Sequence, residues 1–224
     1  RKKIFNPVTN FDKVFEKMIR AYIVKSFPND GIIGEEFKEK KTKNKNYWII
    51  DPIDGTKAFV AGLPTWSNLV GMIYKKKSIM GMANFPELKK TYISYNNTSY
   101  ILDKNKKKKL KTNSVINFKK TKILCNFHNQ NKNLKILKKL DKLNKNISRI
   151  TLDAFSYCLL AEGKLDAVIE SNLKIYDVAA IIPIVENAGG FITTWNNKNA
   201  EKAGNILATS NKKLHYKLLK ILKN

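Results

Sequence analysis

The residue types best suited to chemistry meet in one short stretch, Trp48-Ile49-Ile50-Asp51-Pro52-Ile53-Asp54-Gly55-Thr56. An aromatic and two β-branched residues suit a buried strand, and two acids close it. Like charges at short range raise each other's pKa and would destabilise the strand end. A divalent cation between Asp51 and Asp54 removes that objection. Pro52 fixes φ and turns the chain, so that carboxylates three residues apart converge. Gly55 and Thr56 lead into Lys57-Ala58-Phe59-Val60, the first turn of a helix whose backbone amides offer an anion site. Metal ligands beside an anion site point to phosphate chemistry. The competing reading, a helix N-capped by Asp54, is the better account of a lone Asp-Gly-Thr.

A second strand ends the same way. Ile32-Ile33-Gly34 runs into Glu35-Glu36, and two such places within forty residues favour a shared cation more than either does alone. Upstream, Asn6-Pro7-Val8-Thr9 reads as a turn before a helix that carries Phe15, Ile19 and Ile23 on one face, with Glu16 in the same spacing. Asp12 lies in its first turn, where a carboxylate is comfortable in any helix. Phe27-Pro28-Asn29-Asp30-Gly31 ends it.

The elements that must position these acids follow in order. A short helix after Thr56 stops at Gly62-Leu63-Pro64. Strands Leu69–Tyr74 and Ser78–Ala83, then Thr91–Tyr95 and Ser99–Leu102 with Asn96-Asn97 as the turn, make an antiparallel set. The second half reopens with strand Lys122–Cys125. An amphipathic helix from Leu134 to Leu143 follows, then a helix from Asp153 to Glu162 stopped by Gly163, and a strand at Leu165–Ile169. A helix from Tyr176 to Ala188 carries Asp177 at its start. Strands near Phe191–Trp195 and Asn205–Ala208 and a closing helix complete an α/β layered half. The expected division is 1–112, with most of the acids, and 113–224, with Asp177.

At 224 residues and 43% apolar composition the chain can bury a substantial core. The net charge of +25 comes from lysine, above all in the runs 38–45 and 104–111. Asparagine and isoleucine are over-used too, and no aromatics interleave with the lysines as a base-stacking platform requires. The lysines are therefore read as a compositional bias rather than a nucleic-acid surface. Run 38–45 is expected as a solvated loop or flap, and run 104–111 as the boundary between halves. Cys125 and Cys158 lack metal-ligand spacing, and His128 and His215 are isolated. No apolar run is long enough to span a bilayer and no signal-peptide pattern is present, so a cytoplasmic location is the default expectation.

Taken together, Pro7-Val8-Thr9 with Asp12, Gly34-Glu35-Glu36, Asp51-Pro52-Ile53-Asp54-Gly55-Thr56, and Tyr176-Asp177-Val178-Ala179-Ala180 followed by Glu186-Asn187-Ala188-Gly189-Gly190 resemble the inositol monophosphatase superfamily of Mg²⁺-dependent phosphatases. Softer markers are most similar to its histidinol-phosphate phosphatase branch. These are Gly55-Thr56-Lys57-Ala58-Phe59 with Gly62-Leu63-Pro64, Asp153 before Tyr157-Cys158-Leu159-Leu160-Ala161, Leu173–Asp177, and Ile182-Pro183-Ile184. The resemblance implies a layered αβαβα sandwich, of mixed α+β and α/β character. It also implies hydrolysis of a small phosphate ester, histidinol phosphate first, with inositol phosphate or phosphoadenosine phosphate as alternatives. A nucleic-acid-binding protein on a decayed phosphatase scaffold is the reading from another class.

Residue by residue, the resemblance implies two or three Mg²⁺ ions. Glu35, Asp51 and the carbonyl of Ile53 hold one, and Asp51, Asp54 and Asp177 a second. An all-oxygen donor set suits a hard cation. Thr56 and Asp12 would assist deprotonation of the attacking water, and Glu36 would hold a further water. Amides at Gly55 and Thr56 would bind the phosphoryl oxygens, and Asp153 and Glu170 would read a cationic substrate. Two features depart from the family. The family's helix before the Pro-Val-Thr block has no counterpart in these 224 residues, a departure expected to bear on stability and on a possible homodimer, and Asn10-Phe11 replaces a more usual acidic or small pair.

Overall fold

The computed structural model describes residues 10–42, 44–104, 106–114, 117–127, 130–143, 146–150 and 152–223. The Pro7-Val8-Thr9 turn and His128 lie outside them. Helix α1 (Asn10–Ser26) leads into β1 (Gly31–Gly34), which pairs in parallel with β2 (Asn46–Asp54). Short helix α2 (Thr56–Val60) follows. A meander of β3 (Ser67–Tyr74), β4 (Lys77–Phe85), β5 (Lys90–Tyr95), β6 (Thr98–Asp103) and β7 (Lys106–Lys109) completes a seven-stranded sheet in sequence order. Its tight turns use left-handed residues as hairpins require, Lys75-Lys76 and Asn96-Asn97.

The second sheet joins β8 (Ile123–Asn126), β9 (Ile147–Ser148), β10 (Ala167–Leu173), β11 (Phe191–Thr194) and β12 (Gly204–Thr209) in the order β11-β12-β10-β8-β9. Five helices accompany it: α3 (Gln130–Leu143), α4 (Ala154–Ala161), α5 (Ile175–Val178), α6 (Ile181–Glu186) and α7 (Lys212–Leu222).

Strand alternation sets the layers. Ile50 and half-buried Trp48 face α1 with Ile19 and Ile23. Leu69, Ala83, Phe85 and Tyr92 face the other way, into a core shared with Tyr157, Val168, Ile181 and Ile206. Cys125, Ile169 and Leu207 look outward from the second sheet onto Leu137, Leu140, Leu214 and Leu218 of α3 and α7. The stack is thus α1, sheet, α4–α6, sheet, α3 with α7, an αβαβα sandwich. Buried Ser94 and Ser99 donate to the Pro183 carbonyl at 2.9 and 3.2 Å, tying the central layer to the first sheet.

Two expectations change and a third gains detail. The helix from Tyr176 to Ala188 is two helices, broken at Ala179-Ala180 where the chain passes over Gly71 and Gly81. A Cβ on Gly81 would stand 1.9 Å from the Ala180 carbonyl oxygen, and one on Gly71 2.8 Å from the Ala180 nitrogen. Only bare backbone admits that approach. The described residues of run 38–45 form the solvated loop expected, tied down at two points: Lys40 exchanges two 2.9 Å backbone bonds with Ile32, and Asp30 accepts from Asn44, Asn46 and Trp48. Lys106–Lys109 forms the exposed edge strand β7, where like charge discourages pairing with another chain. There Lys107 lies 4.0 Å from the Tyr100 ring centre and 5.1 Å from that of Tyr95, so aromatics do meet these lysines in space. Cys125 and Cys158 are free and buried.

Candidate active site

Strand β2 delivers the acids because its end is irregular. Pairing with β3 shifts register between Asp51 and Asp54, the effect of one extra residue in a ladder. Asn68 Nδ2 takes up the freed Pro52 carbonyl at 2.7 Å, and Ile53 N donates to Asp51 Oδ1 at 3.1 Å. Asp54 Oδ2 accepts from Ser67 Oγ at 3.2 Å and from Ala154 N at 2.9 Å. Asp54 is therefore bound to the start of α4 and does not cap α2; Gly55 does, in the left-handed region at φ 77°. A side chain at Gly55 would also meet the Asp153 carboxylate at 2.9 Å. Asp153 itself holds φ 45°, a strained position for a residue with a Cβ.

Asp177 arrives from the opposite layer. At the third position of α5 it accepts from its own N-cap amide, Lys174 N, at 2.6 Å. One oxygen each of Asp51, Asp54 and Asp177 lies within 4.8 Å of the others. They line a cleft of about 560 Å³ together with Glu35, Ile53, Gly55, Thr56 and Asp153. The Thr56 hydroxyl donates to Ile53 O at 3.1 Å. Three expected site residues do not line the cleft. Asp12 is buried and Glu36 follows Glu35 in the chain, while Glu170, also buried, accepts from Nδ2 of the cleft residue Asn126 at 3.2 Å.

The electrostatics are those of an unneutralised acid cluster. Burial, then the charges of Asp54, Glu35 and Asp177, holds the Asp51 carboxyl well above the carboxylate range. Burial, then Asp153 and Asp177, does the same to Asp54. Asp177 is pushed up to about 6, chiefly by burial, and Glu35 to about 7 by loss of water and by Asp177, Glu36 and Asp12. Burial also raises Glu170 to about 8. Among the described residues no Lys or Arg forms an ion pair with Asp51, Asp54, Asp177 or Glu35. An all-oxygen, mutually repelling donor set of this kind fits a hard divalent cation.

Glu16 stands in the helical spacing read from the sequence but is given no part in the site by that reading. It is fully buried, and accepts from Arg20 Nε at 2.7 Å, Glu36 N at 2.7 Å and Phe37 N at 3.3 Å. The signal was available: an acid four residues after Asp12 and four before Arg20, on the side of α1 that carries Ile19 and Ile23 inward.

Residues 2–224 match the inositol monophosphatase family. The chain is 32% identical over 212 residues to "Bifunctional phosphatase IMPL2, chloroplastic" of Arabidopsis thaliana, covering 92% of this chain and 60% of that relative's length. It is 29% identical over 208 residues to "Histidinol-phosphatase" of Mycobacterium tuberculosis, covering 91% of this chain and 80% of the relative. Its fold is similar to that of an inositol monophosphatase from Zymomonas mobilis, with a TM-score of 0.86 and 26% identity, covering 100% of this chain and 87% of the other.

Proposed function

The chain belongs to the inositol monophosphatase family, and from that premise we propose that it hydrolyses histidinol phosphate to histidinol and phosphate in a Mg²⁺-dependent reaction. The observation that carries the phosphatase chemistry is the convergence of Asp51, Asp54 and Asp177 within 4.8 Å beside an open cleft. Glu35, Asp51 and Ile53 O would hold one Mg²⁺, and Asp51, Asp54 and Asp177 a second. Bound there, the ions would neutralise the phosphate and the leaving oxygen and lower the pKa of the attacking water.

The remaining work belongs to the chain itself. Asp12 and Thr56 would take the proton of the attacking water, with Glu36 orienting a further water. Amides at Gly55 and Thr56 would bind the phosphoryl oxygens as charge builds on them. The 1–112 half would thus supply most metal ligands, and the 113–224 half Asp177 and the acids that read the substrate.

The alcohol half is expected to be cationic because the cleft carries Asp153 beside Gly55, with Glu170 bonded to Asn126. The name of the Mycobacterium tuberculosis relative agrees with this choice. The test is a panel of histidinol phosphate, inositol phosphate and phosphoadenosine phosphate, assayed with and without Mg²⁺. Preference for histidinol phosphate supports the assignment. Equal or greater kcat/KM for inositol phosphate would move the chain to another branch of the family.

A further inference from the structure

We infer that Glu16 is a positioning residue, whose buried carboxylate holds the loop carrying Glu35 and Glu36 in the geometry the metal site needs. The inference rests on the reading of Glu35 as a metal ligand given above. Glu16 lies one helical turn after Asp12 and is 0% exposed. Both of its oxygens are turned toward the loop: Oε2 accepts from Glu36 N at 2.7 Å and Oε1 from Phe37 N at 3.3 Å. Arg20 Nε donates to Oε1 at 2.7 Å, and Arg20 Nη2 donates to the Phe37 carbonyl at 3.1 Å. Helix, carboxylate, loop and guanidinium therefore form one closed ring of contacts.

Gly34 explains how the carboxylate gets there. A Cβ at that position would fall 2.1 Å from Glu16 Oε1, so the strand end passes over the acid only because it has no side chain. A buried charge is costly unless paired and hydrogen-bonded, and Glu16 is both. The task also needs a carboxylate specifically. Three N–H donors converge on Glu16, whereas an amide has one acceptor oxygen and would turn its own N–H₂ toward a donor.

The loop needs such a restraint. Glu35 shares the cleft with Asp51 and Asp177, and in their ionised forms these carboxylates repel one another unless a cation lies between them. With the loop held in place, a cation meets ligands already converged. Ligand-orienting contacts of this kind cost about 10- to 100-fold in metal affinity when removed.

Glu16→Gln in the full chain tests this, by isothermal titration calorimetry with Mg²⁺ alongside thermal melting. The expected result is Mg²⁺ binding weakened about 10- to 100-fold in protein that is still folded. KM for p-nitrophenyl phosphate at saturating Mg²⁺ should stay within about twofold, since Glu16 touches neither the cleft nor the phosphate site. A lower melting temperature with unchanged Mg²⁺ affinity overturns the inference, because a purely structural role predicts that pattern. Should Glu16→Gln not fold, Glu16→Asp carries the test: it keeps a buried carboxylate beside Arg20 but is one methylene too short to reach both Glu36 N and Phe37 N, and Mg²⁺ affinity equal to wild type overturns the inference. Absence of Mg²⁺ binding by the wild-type chain overturns both this inference and the metal-site reading beneath it.

Discussion

Gly81→Ala links packing to chemistry at a distance from the cleft. The new Cβ would lie 1.9 Å from the Ala180 carbonyl oxygen, and that atom is backbone, so no side chain can swing aside. The junction between α5 and α6 must retreat by about 1 Å or more to restore ordinary contact. Overpacking of this size costs about 1–3 kcal/mol. Loss of glycine's freedom in the unfolded chain offsets about 0.4–1 kcal/mol of that. The net loss is then at most about 2.6 kcal/mol, and at about 2–4 °C per kcal/mol for a chain of this length the melting temperature should fall by up to about 10 °C. Asp177 lies three residues before Ala180 and must keep its oxygen within 4.8 Å of those of Asp51 and Asp54. Displacing a reacting constellation by about 1 Å costs about 100-fold, so kcat/KM should drop on that order at a temperature where both proteins are folded. Raising Mg²⁺ should recover part of the loss, because Asp177 is assigned to an ion. A variant that melts and turns over like wild type would refute the reasoning. A lower melting temperature with unaltered kinetics would keep the packing argument and reject the link to Asp177.

Asp54→Asn should remain folded, since the amide oxygen can still accept from Ala154 N, yet lose most turnover; near-wild-type activity at saturating Mg²⁺ would reject Asp54 as a ligand. Asp153→Asn should cost about ten- to a hundredfold in kcat/KM for histidinol phosphate, the range of a charge-assisted hydrogen bond, and little for a neutral polyol phosphate; equal losses on both would make Asp153 structural. His215 is buried, with Nδ1 and Nε2 each 2.9 Å from a hydroxyl, of Thr209 and Thr193. Burial pushes its pKa down to about 4, so the unfolded chain binds the extra proton first. Its contribution to stability is complete above about pH 6.5 and is lost as pH falls toward 4, by about 3 kcal/mol in all. The raised pKa values of Glu35, Asp177 and Glu170 work in the opposite sense. The measurement is therefore the difference between the denaturation profiles of wild type and His215→Gln, and a difference independent of pH would dismiss the histidine.

Local pattern was enough to read the pieces of this protein. The aromatic and β-branched run before Asp51, the left-handed Asn96-Asn97 turn and the acids closing two strands are visible because each signal lies within a few residues. The sandwich and the family were legible in the spacing and order of four motifs. What was not legible depends on contacts between distant segments. The period of α1 marks an inward face, but burial of Glu16 on it depends on Gly34, eighteen positions on, leaving room for a carboxylate. The apparent helix from Tyr176 to Ala188 breaks because Gly71 and Gly81, about a hundred residues earlier, let its backbone touch a sheet. The lysines of 106–109 have no intrinsic claim to strand structure, and become a strand because the edge of β6 offers unpaired backbone groups. Sequence alone settled which residues carry the charge; tertiary packing decided which of those charges share one cleft, because like carboxylates converge only where the fold forces them together.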